Sequence, residues 1–259
     1  PTFSSLPAPA WYHQRADRSG RDSDAFIADA NRFAREQLVP ALDRWDSLSA
    51  DERMALAREH ARFTGLKTSY LLEKKLRVMP SDYATALMAD EGKALGCYHS
   101  RYTLTTANTL GDPAADDAAM GQYTPAFVGA FNSYVRDDLG IDIDEDYVVI
   151  DFVNVNFPFK HAPGAMGGER APERDAGADL AAAMRRNPDL RFMSIQGWFD
   201  LFGAVGTAEY GIAQRRLPPE RVVAKSYASG HMAYVGEAGP LMAADLKQFI
   251  LNASGGRQQ

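Results

Sequence analysis

One histidine stands where an imidazole could act as a base. In "SYASGHMAYV", residues 226–235, the small turn Ser229-Gly230 presents His231 directly after the β-rich run "RVVAKSYA". Imidazole titrates near neutrality, which suits it to moving a proton during catalysis. A carboxylate precedes it in the chain: Asp200 lies in the turn "QGWFD", after the strand pattern "RFMSI". Paired in space, the carboxylate would fix the imidazole tautomer and stabilise the imidazolium, while His231 took a proton from a nucleophile. On spacing alone another reading stands beside this one, in which Asp200 caps a helix and His231 is an ordinary loop residue. A nucleophile elbow of the form G-x-S-x-G is absent from the chain. Ser229 lacks the preceding glycine, and Ser4 and Ser5 in "FSSLP" have no strand–turn–helix context. Around the pair, Trp198 and Phe199 either wall a site or pack in the core. Met232 and Tyr234 are candidates to line a substrate pocket. In "VNVNFPF", Asn154 and Asn156 alternate as strand residues do, and Asn156 is a candidate substrate contact. His13 and His161 read as structural.

The elements that must position these residues fall into two zones. Residues 10 to about 140 read as helical. "SDAFIADANRFAREQLVPALDRWDSL" sets Phe26, Ile27, Phe33, Leu38 and Leu42 on one stripe, with Ser23 or Asp24 as cap and a break or kink at Pro40. "SADERMALAREHARFTGL" has Ser49 as N-cap, Glu52 at the capping-box position and a stop near Gly65. "PSDYATALMADEGKALG" repeats that grammar from Ser81, and "YTPAFVGAFNSYVRDDLG" is a further amphipathic helix. This half carries almost no strand signal. From about residue 145 the pattern changes to a strand at "DYVVIDF", a polar loop at "GGERAPERDAGA", and a helix at "GADLAAAMRRNP". A strand at "LRFMSIQG" follows, then a helix within "WFDLFGAVGTAEYGIAQRRL", a strand at "RVVAKSYA" and a helix at "AGPLMAADLKQFILNA". Such alternation predicts an α/β fold with a parallel sheet, whose functional groups gather at the carboxyl ends of the strands.

Composition narrows the function. The net charge is −6, and nucleic-acid binding needs a concentrated basic face, so no nucleic-acid partner is expected. The short basic clusters "MRRNPDLR" and "QRRLPPER" read as solvated helix ends. No apolar run reaches the length of a membrane span. Cys97 is the only cysteine, which excludes an intrachain disulfide and a CxxC zinc site. The five histidines show neither HExxH nor HxH spacing, so no metal is expected. The opening "PTFSSLPAPAWYH" reads as the middle of a longer sequence, either a processed chain or a piece.

The turns "SIQGWFDLFGAVGTAEY" and "YASGHMAYV" resemble the Asp and His turns of the serine carboxypeptidase family of α/β-hydrolases, particularly its bacterial members. "AWYH", "FTGLKTSYLLEKKLRV", "GQYTPAFVGAFNSYVRDDLG", "VNVNFPF" and "AGPLMAADLKQFI" extend the resemblance over most of the chain. It implies a partial α/β-hydrolase fold. Residues 1–14 would end an N-terminal core half, 15–140 form a helical cap, and 141–259 form the C-terminal half of the core. It further implies that Asp200 and His231 are catalytic, that the nucleophilic serine lies upstream, and that no metal or organic cofactor is needed. The substrate would be a peptide that loses C-terminal residues through an acyl-enzyme. The partner would be the N-terminal half of the same fold, from the same precursor or a separate chain. This chain alone would be inactive, and the whole protein would be periplasmic or secreted. Two alternatives remain: an acyltransferase on the same scaffold, and a non-catalytic subunit or binding module on a degenerate hydrolase fold.

Overall fold

The computed structural model describes residues 2–105, 116–142, 144, 145, 147 and 176–255. The strand expected at "DYVVIDF" (Tyr147 apart), most of the "GGERAPERDAGA" loop, Asn154, Asn156 and His161 lie outside the described residues.

The first half is built of helices: α1 (Pro7–Tyr12), α2 (Ser23–Phe33), α3 (Val39–Asp43), α4 (Ala50–Thr64), α5 (Thr68–Glu73) and α6 (Pro80–Ala86). In α2, helical spacing buries Phe26, Ile27, Ala30 and Phe33 on one face. Its cap is Asp22 rather than Ser23 or Asp24, because the Asp22 carboxylate accepts from the Ala25 amide at 2.8 Å. The break expected at Pro40 takes the form of a π-helical turn, Ala34–Leu38, which delivers Pro40 into the first turn of α3. There its missing N–H leaves no hydrogen bond unmade. The boundaries of α4 are those the sequence indicates. Ser49 accepts from the Glu52 amide, Glu52 accepts from the Ser49 amide, and Gly65 closes the helix at φ 71°. Ser49→Ala is expected to destabilise the fold by about 1 kcal/mol, read as a lower urea midpoint at unchanged slope. In α6 the expected cap is corrected. Pro80 holds the first position and Met79 precedes it, so Ser81 sits inside the first turn.

These helices enclose an aromatic core. The ring centroids of Phe26 and Phe33 each lie 5.5 Å from that of Phe63. Tyr83 is fully buried, and its hydroxyl donates to the Leu6 carbonyl at 2.8 Å, so its polar end is satisfied. The expectation of almost no strand in this half needs one correction: β1 (Lys93–Leu95) and β2 (Thr103–Thr105) form an antiparallel pair. Three residues each are too few to show a period of two. After it, α7 (Met120–Ser133) runs into a π-helical turn, Tyr134–Asp138, and the chain turns at Gly140, φ 62°.

The remaining elements are α8 (Ala176–Arg186), β3 (Phe192–Gly197), α9 (Val205–Gln214), β4 (Val222–Tyr227) and α10 (Ala238–Ala253). Here α9 begins at Val205, later than the sequence pattern suggests, because residues 198–204 form the turn that carries Asp200. β3 and β4 pair in parallel, from Phe192 opposite Val222 to Gly197 opposite Tyr227. Strand alternation splits their side chains between two layers. Phe192 and Val222 pack with Met184, Ile212 and Leu217 of the α8–α9 side. Ile195 and Tyr227 pack with Ala238 and Met242 of α10. The chain therefore mixes helix and strand, with a parallel pair layered between helices. Arg221, from one of the basic clusters, donates to the carbonyls of Met184 (3.1 Å) and Pro188 (2.9 Å), which closes the end of α8. Among the described residues no helix is long and apolar enough to cross a membrane.

Candidate active site

The parallel register puts the ends of β3 and β4 side by side, so the turns that follow them meet. Gly197 ends β3 against the Ser229-Gly230 backbone. A Cβ added to Gly197 would lie 2.2 Å from the Gly230 carbonyl oxygen and 2.3 Å from that of Ser229. The two turns are then stitched together by backbone hydrogen bonds. Trp198 N–H donates to the Tyr227 carbonyl and Phe199 N–H to the Ser229 carbonyl, both at 2.9 Å.

This stitching brings the two candidate residues together. His231 Nδ1 lies 2.8 Å from Oδ2 of Asp200. Asp200 is 4% exposed, whereas the His231 side chain is 50% exposed, so the carboxylate is enclosed and the ring faces outward. The other carboxylate oxygen, Oδ1, accepts from the amides of Phe202 (2.9 Å) and Gly203 (2.8 Å). Gly203 has to be small: a Cβ there would lie 2.4 Å from the oxygen that holds the histidine. With Nδ1 donating to Asp200, Nε2 is left to accept a proton, which is the tautomer a general base needs.

The chain matches no family model, no curated protein and no solved structure.

Electrostatics follow from this geometry. The hydrogen bond from Asp200 holds the His231 pKa above its ordinary value of 6.5, although burial opposes it. Because the folded value is raised, the imidazolium–carboxylate contact stabilises the fold fully below the ordinary histidine pKa, and that contribution is lost as pH rises through the folded value. An NMR titration of the His231 ring is expected to show a midpoint above 6.5 that falls in Asp200→Asn. A midpoint unchanged by that substitution would contradict the contact.

A third segment, Gly96–Ser100, also builds the site. The His231 amide donates to the Tyr98 carbonyl at 2.7 Å, and the Tyr98 and His231 rings meet edge to face at 5.2 Å. Leu201 N–H donates to the Cys97 carbonyl, and Ser100 N–H to the Phe199 carbonyl, both at 2.9 Å. Buried Asp117 fixes this segment by accepting the Cys97 amide with one oxygen and those of Ala119 (2.9 Å) and Met120 (3.1 Å) with the other. Sequence reasoning passed over this segment. Its only signals were the density of reactive residue types in "GCYHSR" and an aspartate just before α7.

The nucleophile is a separate question. Among the described residues, no serine or cysteine is hydrogen-bonded to the His231 ring. Cys97 lies close enough for the Asp200 charge to act on it. Burial first, then Asp117 and Asp200, push its thiol up to about 12, so it is protonated near neutrality and a poor nucleophile. Ser229 is buried, Ser5 Oγ donates to the Thr2 carbonyl at 2.9 Å, and Ser4 Oγ accepts from the Gly206 amide at 2.8 Å.

The flanking candidates divide. Trp198 packs against Ala8, Ile27 and Phe199, so its ring serves the core between helices and turn. Met232 is half-buried and Tyr234 exposed on the loop after His231. His13, read as structural, has a partner: its Nε2 lies 2.7 Å from the Ser100 carbonyl. Among the described residues no group of three or more His, Cys, Asp or Glu side chains is placed to hold a metal ion.

Proposed function

We propose that Asp200 and His231 are the acid–base pair of a serine-type hydrolase that resembles the serine carboxypeptidases and removes C-terminal residues from peptides. The observation that carries the reading is the 2.8 Å contact between a buried carboxylate and an outward-facing imidazole at adjacent carboxyl ends of parallel strands. In the proposed reaction a serine hydroxyl attacks the scissile carbonyl and gives its proton to Nε2 of His231. The imidazolium passes that proton to the leaving amine as the C–N bond breaks. Water, deprotonated by the same nitrogen, then hydrolyses the acyl-enzyme and releases the serine. The Asp200 carboxylate balances the imidazolium. The attacking serine is supplied by a segment outside these 259 residues, and the helices of the first half cover the site as a cap. No cofactor enters this chemistry.

The test is to purify the protein from its native host, confirm that it hydrolyses an N-blocked dipeptide, and label it with a serine-directed fluorophosphonate. The expected result is a label on a serine outside these 259 residues and no label within them. A stoichiometric label on Ser4, Ser5 or Ser229 would overturn the assignment of the nucleophile. Absence of both hydrolysis and label would favour the second reading, a binding subunit on a hydrolase scaffold, which draws support from the lack of a described hydroxyl at the His231 ring.

A further inference from the structure

A second group of side chains lies beside the catalytic pair and takes no part in it. A cleft of about 420 Å³ is walled by Tyr12, His99, Arg101, Tyr102 and Tyr123 and bounded by Ser229, two residues before His231. The Arg101 guanidinium lies 4.1 Å from the ring centroid of Phe199 and 5.2 Å from that of Tyr12. Two aromatic rings thus hold a planar cation in place, which fixes its fork of donors before any ligand arrives. Among the described residues no carboxylate forms an ion pair with Arg101, and its Nε is buried without a hydrogen-bond partner. The neighbouring His99 is in the same condition. Its Nδ1 is 2.9 Å from the Tyr123 hydroxyl, while its buried Nε2 has no partner among the described residues. Buried polar nitrogens are nearly always paired in native proteins, and no partner for these two lies among the described residues, so the guanidinium's remaining donors are the ones open to the cleft.

The chemistry of that group can be read from the wall. A guanidinium fork with no carboxylate paired to it among the described residues matches the two oxygens of a carboxylate. Tyrosine rings supply apolar faces for an aromatic body. Glu237 is the one acid in the described lining; it is exposed and makes no ion pair with Arg101, so solvent screens it. A single guanidinium beside that acid in the described lining suits a monoanion better than a phosphate dianion. We infer that this cleft binds a small aromatic carboxylate, held by Arg101 through its carboxylate and by the tyrosine rings through its aromatic body. The inference does not depend on the hydrolase proposal, because binding needs neither a nucleophile nor turnover.

The experiment is isothermal titration of the folded chain with 3-phenylpropionate, 3-phenylpropionamide and propionate. The acid is expected to bind at least tenfold more tightly than its uncharged amide, and at least tenfold more tightly than propionate. Arg101→Gln should abolish the preference for acid over amide, and Arg101→Lys should restore only part of it, because an ammonium lacks the planar fork. Equal binding of acid and amide to the parent protein would overturn the inference without recourse to any variant. So would equal binding of propionate, or no saturable binding of 3-phenylpropionate.

Discussion

In any form of the protein that turns over, His231→Ala is expected to lower kcat by about 10⁴-fold or more, and Asp200→Asn by a comparable factor. His231→Ala removes the group proposed to take and return the proton. Asp200→Asn keeps the shape, but it puts an amide opposite Nδ1 and permits the tautomer with Nε2 protonated, which cannot act as a base. The two losses should not multiply. In proton transfer the carboxylate acts through the ring it touches at 2.8 Å, so the double variant should be scarcely slower than His231→Ala alone. Steady-state kinetics on the three variants decide the matter. If the double variant loses the product of the single factors, or if His231→Ala retains most activity, the dyad is not the acid–base machinery.

Gly197→Ala is expected to destabilise the fold by about 3 kcal/mol or more, at the upper end of what added core volume costs. The new methyl would sit 2.2 and 2.3 Å from two carbonyl oxygens, and those oxygens belong to backbone rather than to a mobile side chain. Relief requires β3 to part from the Ser229-Gly230 turn, which breaks the Phe199–Ser229 hydrogen bond and moves Asp200 away from His231. Two readouts should therefore change together: the urea midpoint falls, and the His231 titration returns toward 6.5. A Gly197→Ala protein within 1 kcal/mol of the parent would show that the two turns do not approach as closely as described.

What the sequence made legible was the part of the site carried by regular strands. β3 and β4 were readable because β-branched and apolar runs ended in small-residue turns, and a parallel sheet then forces Asp200 and His231 to one edge. The capping box at Ser49 was readable because its chemistry is local. The Gly96–Ser100 segment was not readable. Its role rests on hydrogen bonds to turns about a hundred or more residues away, and nothing in local spacing encodes them. Asp117 was hidden for the same reason, since it caps one helix and a distant loop at once. The shift of cap to Asp22 comes from competition between neighbouring residues of similar capping ability, which pattern alone does not rank, and the α6 start moves to Pro80 because proline's fixed φ suits the first helical position.

The bond from the His231 amide to the Tyr98 carbonyl also closes a longer loop than the one between Asp200 and His231. Contacts between segments far apart in sequence carry the largest loop-closure entropy, and they form after local helices have nucleated. Within the aromatic core, Tyr83 reaches back to Leu6 across 77 positions, whereas Asp200 and His231 are 31 apart and are joined once β3 pairs with β4. In a chain whose β3 and β4 have not paired, the imidazole has no carboxylate beside it, so a raised His231 titration reports that this sheet has formed.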